Sequence, residues 1–286
     1  MNNIQLGIIG GSGLYNMAGL TDIEERTIDT PFGAHSAPLT IGTLHGRRVA
    51  FLPRHGKGHV YSPTTVPYKA NIYALKSLGV KYVVAVSACG SLKEEYAPGH
   101  IVIPDQLYDN TKLRSSSFFG TGLVVHVGVA DPFSPLLSKA VAKSVDAAGG
   151  TVHEGGTFIT IEGPRFSTRG ESNIFRAWGC SIIGMTTSPE AYLTREAEMA
   201  YACMAHVTDY DVWHESEEAV TVEMVIRTVV KNTEVAQRAI SELVKSMDDW
   251  AVEMPAHSAL KDAFITSNEH EAERKRLGIL VEKYQA

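Results

Sequence analysis

"YVVAVSA", residues 82–88, runs through seven residues with no polar interruption except Ser87. A strand covered by helices on both faces shows no hydrophobic alternation, whereas a half-exposed strand shows period two. Seven residues is also short for a buried helix, and three of them are valine, which favours the pleated surface. The stretch therefore predicts a central strand of an α/β sheet. Moving outward, "IQLGIIG" (4–10) reads as a second buried strand and runs straight into "GGSGL" (10–14). Residues 38–44 and 47–53 predict a hairpin turning at His45-Gly46. Residues 66–78 predict a helix with Thr64 or Thr65 as N-cap, Pro67 in the first turn and Gly79 as the stop.

Further strands are predicted at 101–104, 123–127, 157–161, 181–185 and 201–207, and helices at 135–148, 169–178, 189–199 and 221–248. Strands and helices alternate with no Pro/Gly/Ser linker, repeat or low-complexity tract, which predicts one α/β domain with a mostly parallel or mixed sheet flanked by helices. That domain is assigned to residues 1–255. The more charged, helix-prone residues 256–286 are read as a C-terminal helical extension of the same domain.

Composition narrows the function. The 286 residues carry 26 Lys+Arg and 32 Asp+Glu, a net charge of −6, which argues against nucleic acid as the main partner. Cys89, Cys180 and Cys203 form no C-x-x-C pair or His/Cys cluster, so reduced, buried thiols in a cytoplasmic protein are expected, with no metal. The N-terminus has no charged segment followed by a long apolar run, and no stretch approaches the roughly 20 apolar residues of a membrane span. A soluble protein without a signal peptide is expected.

Small and polar residues follow the predicted strands. Gly10–Gly13, Arg54–His55, Ser87–Ala88, Met185–Thr187 and Asp209–Asp211 each stand at a strand end, where open α/β sheets bind ligands. "GIIGGSGLYN" does not fit the dinucleotide pattern, which from Gly11 requires glycine at 16, and no Gly-Lys-Ser/Thr closes a P-loop. What remains is a turn whose N–H groups and Ser12 hydroxyl suit an anion, or a glycine turn with no ligand. "PRHGKGH" (53–59) offers a guanidinium beside an imidazole, suited to phosphate oxygens or to a surface ion pair. "SACGSL" (87–92) and Thr186 in "GMTTSPE" offer hydroxyls after buried strands; each alone is as compatible with a turn. "EGPRF" (162–166) lines a pocket or ties down a loop. In "HVTDYDVWHE" (206–215), Asp209 and Asp211 at i and i+2 of an extended segment project to one side. Two close carboxylates disfavour double ionisation, giving a donor beside an acceptor, the complement of adenine N7 and N6. A solvated turn or helix N-cap fits the two residues as well.

In order along the chain, "GGSGL", "PRHGKGH", "SACGSL", "IEGPRFSTRGES", "MTTSPEAYLTREAEMAYA" and "TDYDVWHESEEAVTVEMV" closely resemble the methylthioadenosine phosphorylases of the trimeric purine nucleoside phosphorylase superfamily. The resemblance runs from about residue 4 to 255. It implies the nucleoside phosphorylase fold, with phosphate held by Ser12, Arg54, His55, Ser87, Ala88 and Thr186. Positions 12 and 87 carry serine where threonine is also familiar, and the hydroxyl survives. The resemblance places Met185 against the ribose, Phe166 on the base and Ser167 in the base pocket. Asp209 and Asp211, with Tyr210 between them, match the purine-binding segment.

The reaction implied is phosphorolysis of 5′-methylthioadenosine to adenine and 5-methylthioribose 1-phosphate, with Asp209 as general acid. Inorganic phosphate is the co-substrate and no cofactor or metal is expected. Val222, Val225 and Ile226 lie at i, i+3 and i+4 on one helix face, which by periodicity is core and by resemblance is the methylthio pocket. His126 matches a histidine that reaches the neighbouring subunit's site, so a homotrimer, or a dimer of trimers, is expected. The rivals are a phosphorylase of 6-oxopurine nucleosides or methylthioinosine and a non-catalytic nucleoside- or phosphate-binding protein. Aspartate at 211 favours adenine over a 6-oxopurine, which asparagine suits better, and the retained acid and phosphate set favour an enzyme.

Overall fold

A computed structural model describes residues 4–11, 13–14, 16–214, 221–266 and 270–284, with the backbone alone at 222, 224–227 and 229–231. The chain begins with β1 (Leu6–Gly10), β2 (Thr21–Arg26), β3 (Leu39–Leu44) and β4 (Arg47–Pro53). Then come α1 (Tyr68–Ser77), β5 (Tyr82–Ser91), β6 (Ile101–Ile103), β7 (Gln106–Asn110), α2 (Pro135–Ala147), β8 (Val152–Glu154) and β9 (Thr157–Ile161). The rest is α3 (Arg169–Ala177), β10 (Cys180–Gly184), α4 (Thr187–Glu196), β11 (Ala200–Asp209), α5 (Val222–Lys245), α6 (Met247–Trp250) and α7 (Glu271–Leu277).

The described strands form one mixed sheet in the order β2-β3-β4-β1-β5-β10-β9-β7, while β11, then β6 and β8, extend from β5. As the opening stretch predicts, β5 is central. Val83 and Ala85 pack with Tyr201, Cys203, α1 and the C-terminal Leu260, Leu277 and Leu280 on one face. Tyr82 and Val84 pack with Met204 and with α2 and α5 on the other, through Leu137, Val141, Ile240 and Leu243. Both faces bury apolar side chains, which is why the sequence shows no alternation.

The pairing of β5 explains where the site lies. Tyr82 pairs with both Leu6 of β1 and Ala200 of β11, so these two strands lie on opposite edges. Gly90 pairs with both Asp209 of β11 and Ile183 of β10, so β10 shares its edge with β1. On that edge β1 pairs as far as Ala85 and β10 pairs from Gly90, leaving residues 86–89 outside the ladder. Backbone groups left outside the ladder at the centre of a sheet take their partners from side chains or a ligand.

Several boundaries differ from expectation for local reasons. Residues 123–127 are not a strand; they contribute only single bridges, Gly120 with Leu123 and Val125 with Phe264. That pairing depends on a residue far along the chain. β2, β7 and β8 were not foreseen, and their sequences explain it: TDIEER is wholly exposed, QLYDN is mixed and VHE is three residues long. Helix α1 starts at Tyr68 after Pro67, with no side-chain cap. Thr64 instead gives its hydroxyl to Glu162 Oε1 at 2.8 Å, and Thr65 gives its own to Ser62 O at 3.3 Å. The hairpin turn is as expected, with His45 and Gly46 both at positive φ (48° and 73°).

Candidate active site

Arg54 follows β4 and enters the edge of β5 left open by β1. Its backbone N–H donates to Gly10 O at 2.9 Å, and its side chain is almost fully buried. Nη1 donates to Val86 O at 3.2 Å and Nη2 to Ile9 O at 3.5 Å. Nε and Nη2 make a fork on Glu190 of α4, at 2.7 and 2.9 Å, and Tyr201 donates its hydroxyl to the same carboxylate at 2.8 Å. The guanidinium is thus held by β1, β5 and α4 together, with its charge balanced by Glu190. Glu190 lies 136 residues from Arg54, and no sequence pattern links the two.

His55 donates from Nδ1 to Tyr61 O at 2.8 Å, since a carbonyl only accepts, and stacks on His59 with centroids 4.1 Å apart. Burial, then the adjacent Arg54 charge, pushes its pKa down to about 4. At neutral pH the ring is therefore neutral, with Nε2 the bare nitrogen. Ser87 and Thr186 are buried, and Ala88 is exposed on the unpaired stretch of β5. Ser87 Oγ lies beside the buried Cys203 thiol. A Cβ on Gly10 would meet the end of the Leu14 side chain, which would have to shift where β1 turns away. Gln237 of α5 holds that turn, donating to Gly13 O at 2.8 Å and Asn16 O at 3.2 Å. Ser12 lies outside the described residues.

Asp209 ends β11 and is buried. Its Oδ2 accepts from Thr208 Oγ1 at 2.6 Å and its Oδ1 from Asp211 N at 2.8 Å. Burial raises its pKa to about 6 against those two hydrogen bonds, and the Asp211 charge adds the least. The sequence reading made carboxylate repulsion the cause; desolvation is the larger one. The i, i+2 geometry also differs, because Asp211 has left the strand and adopts φ 54°. What brings the two together is the Asp209–Asp211 N–H bond and Gly90, where a Cβ would meet Asp209 Oδ1 at 2.9 Å and Asp211 Cβ at 3.3 Å. Asp211 is itself buried, which raises its pKa, and faces Ser172 and Ser167. The hydroxyls of these two serines work against that rise, so the three buried polar groups form one cluster.

Phe166 and Ser167 enter α3, whose start is fixed by a capping box: Glu171 N donates to Thr168 Oγ1 at 3.1 Å and Thr168 N to Glu171 Oε2 at 2.8 Å. Arg165 forks on Glu171 at 2.7 and 2.6 Å, so this arginine ties the loop down. Glu162 does likewise: burial would raise its pKa, but Lys112 N, Thr64, Leu113 N and Arg114 hold it at about 2. Met185 is half-buried next to Gly163, where a Cβ would lie 2.7 Å from its sulfur.

Tyr210 turns its ring onto His214 at 4.6 Å and gives its hydroxyl to Glu94 O at 3.2 Å. His126 is exposed, its N–H bonded to Ala263 O at 2.9 Å. Val222, Val225 and Ile226 fall on the first turns of α5, and their side chains lie outside what the structure describes. His206, three residues before Asp209, is buried with neither ring nitrogen hydrogen-bonded among the described residues, and burial pushes its pKa to about 4. It is a neutral ring in the sheet. A groove of about 420 Å³ between α2 and the α5–α6 corner shares no residue with these strand ends.

Residues 5–245 match the family model described as the phosphorylase superfamily. The chain belongs to this superfamily. It is 50% identical over 287 residues to the S-methyl-5′-thioadenosine phosphorylase of Chloroflexus aurantiacus, covering 99% of both chains. A methylthioadenosine phosphorylase from an antarctic soil metagenomic library superposes with TM-score 0.94 at 46% identity, over 98% of this chain and 99% of that one. The methylthioadenosine phosphorylase of Schistosoma mansoni, solved in complex with adenine, gives TM-score 0.82 at 36% identity over 86% of this chain and 92% of that one. The superfamily's mixed sheet flanked by helices is the architecture described above.

Proposed function

We propose that this chain catalyses phosphorolysis of 5′-methylthioadenosine, releasing adenine and 5-methylthioribose 1-phosphate. The observation that carries the reading is Asp209, a buried carboxyl with its pKa raised to about 6 at the end of β11. A side chain that holds a proton close to neutral pH suits a general acid. Relatives named as S-methyl-5′-thioadenosine phosphorylases at about 50% identity over the whole chain support the same reaction.

In this reading a phosphate oxygen attacks C1′ as the C1′–N9 bond breaks, and Asp209 gives its proton to N7 of the departing purine. The intervening sugar is oxocarbenium-like, and the phosphate beneath it stabilises that charge. Phosphate is held by Ser12, Arg54, His55, Ser87, Ala88 and Thr186. Because His55 Nδ1 donates to Tyr61 O, its bare Nε2 suits a protonated phosphate oxygen. Phe166 stacks on the base, Ser167 and Tyr210 flank it, and Met185 packs on the ribose. Asp211, a buried carboxyl beside Asp209, accepts from the N6 amine.

Val222, Val225 and Ile226 line the methylthio group. His126 of the partner subunit completes the site in a cytoplasmic homotrimer, or a dimer of trimers. Residues 1–255 form the phosphorylase domain and 256–286 its helical extension. Nucleoside and phosphate are the partners, with no resident cofactor or metal. No helix of the described residues is long and apolar enough to cross a membrane.

The test is release of free base from methylthioadenosine, adenosine, inosine and methylthioinosine, with methylthioadenosine expected to be the best substrate. Preference for inosine or methylthioinosine would move the reading to 6-oxopurines. Asp211→Asn sharpens it. An ionised carboxylate only accepts, whereas an amide donates to O6 and still accepts from N1–H. The ratio of kcat/KM for methylthioadenosine over methylthioinosine should fall by roughly 10²-fold or more, because a mismatched base leaves a buried group unpaired. An unchanged ratio would place Asp211 outside the base-reading contact.

A further inference from the structure

Arg114 was not singled out by the sequence, yet its side chain is 1% exposed and joins segments on both sides of the site. Its Nη1 donates to Met185 O at 2.5 Å, Ser188 O at 2.7 Å and Tyr68 Oη at 3.2 Å. Its Nη2 donates to Glu162 O at 2.5 Å and Ile161 O at 3.4 Å, while Nε meets Glu162 Oε1 at 3.0 Å. Two loops are stapled by one planar group. The first, residues 161–163, leads into Phe166 and Ser167. The second, residues 185–188, carries Met185 and Thr186 into α4.

The two loops touch at Gly163 and Met185, where glycine at φ 66° leaves no room for a Cβ. Glu162 in turn accepts from the backbone N–H groups of Lys112 and Leu113, at 2.6 and 3.0 Å, which fixes the segment that presents Arg114. The arrangement is closed on itself: the arginine is locked by the loop that it locks.

We propose that Arg114 is a positioning residue, whose guanidinium sets the spacing between the base-binding loop and the ribose- and phosphate-binding loop. This rests on the proposed reaction, because the two loops carry its two halves. A leaving purine and an attacking phosphate must line up through C1′, and a misplacement of about 1 Å costs on the order of 10²-fold in rate. Each loop alone still presents its own ligand contacts. Binding of either partner therefore depends little on the staple, and alignment of the two depends on it strongly. Lysine keeps the charge but not the fork, having three donors from one point where arginine has five in a plane.

The test compares Arg114→Lys with the wild type for kcat and KM on methylthioadenosine and phosphate, for adenine binding by calorimetry, and for thermal unfolding. The expected result is a fall in kcat of roughly 10²-fold, with adenine and phosphate each bound within about threefold of wild type, well below the unfolding temperature. If Arg114→Lys does not fold, Glu162→Gln, which keeps every carbonyl contact of Arg114, is expected to show the same split at roughly tenfold. An unchanged kcat, or a loss of activity matched by the loss of adenine binding or of folded protein, would overturn the positioning role. An inactive wild type would overturn the reaction as well, whereas an active wild type with an unaffected variant counts against Arg114 alone.

Discussion

Asp209→Asn is expected to lower turnover on methylthioadenosine by roughly 10²–10⁴-fold, the range for loss of a general acid. Asparagine fills the same space and still accepts from Thr208 Oγ1 or Asp211 N, the two contacts that hold the aspartate. It lacks the acidic proton, so the purine must depart with its negative charge unrelieved. Substrate affinity should change far less than kcat, because the interaction removed is one made mainly in the transition state. The pH profile gives a second signature. With Asp209 raised to about 6 by burial, the protonated form is depleted above that pH. The wild type kcat/KM should therefore lose activity on the alkaline side through an ionisation that the variant lacks. A variant with near-normal turnover, or one retaining that limb, would assign N7 protonation to another group. The same raised pKa has a consequence for folding: the native state holds this proton more tightly than the unfolded chain. The stability that it contributes is complete below about pH 4 and is lost as pH rises through about 6.

Glu190→Gln should destabilise the fold by about 3–5 kcal/mol, the cost of breaking a buried ion pair by removing one partner. Arg54 and Glu190 have side chains only 4% and 2% exposed, so water cannot replace the lost carboxylate without opening the sheet edge. The amide oxygen still accepts from Arg54 Nη2 and Tyr201, but the amide nitrogen faces the Nε–H donor and the charge that balances the guanidinium is gone. Tyr201 also loses the better acceptor for its hydroxyl. Urea unfolding at neutral pH measures the effect. A loss below about 1 kcal/mol would mean that the Arg54 charge is compensated by solvent, as at an exposed pair. With the expected loss, phosphate should protect the variant more than the wild type, since an anion beside Arg54 supplies the missing charge by mass action.

What the sequence disclosed and what it concealed follow the range of the interactions involved. The central strand was legible because burial on both faces removes alternation from a contiguous stretch, and α2 because its apolar residues recur at helical spacing. The His45-Gly46 turn was legible from two residues. Strands β7 and β8 were not, because short strands with mixed or polar side chains carry no period to detect. The end of β5 was underestimated for a related reason: Ser87 to Ser91 are small and polar, yet β11 and β10 pair with them.

In the site, Arg54 meets Gly10 O and Val86 O, and Gly90 lies against Asp209 and Asp211. What sets their chemistry is long-range. Glu190 meets Arg54 across 136 residues and Arg114 meets Met185 across 71, so neither contact leaves a local motif. The Asp209–Asp211 pair was found in sequence with the wrong geometry. Alternation of an extended strand suggested that they project together, whereas a left-handed Asp211 and a cleared space at Gly90 are what bring them close.

The most direct measurement of the central claim is adenine release from methylthioadenosine with and without inorganic phosphate, with the sugar product identified. In the proposed reaction phosphate is held by the buried Arg54, the neutral His55 and the buried Ser87 hydroxyl. Release should therefore require phosphate and yield 5-methylthioribose 1-phosphate in step with adenine. Equal release in phosphate-free buffer, with free methylthioribose as the product, would mean that water is the nucleophile and would contradict the account.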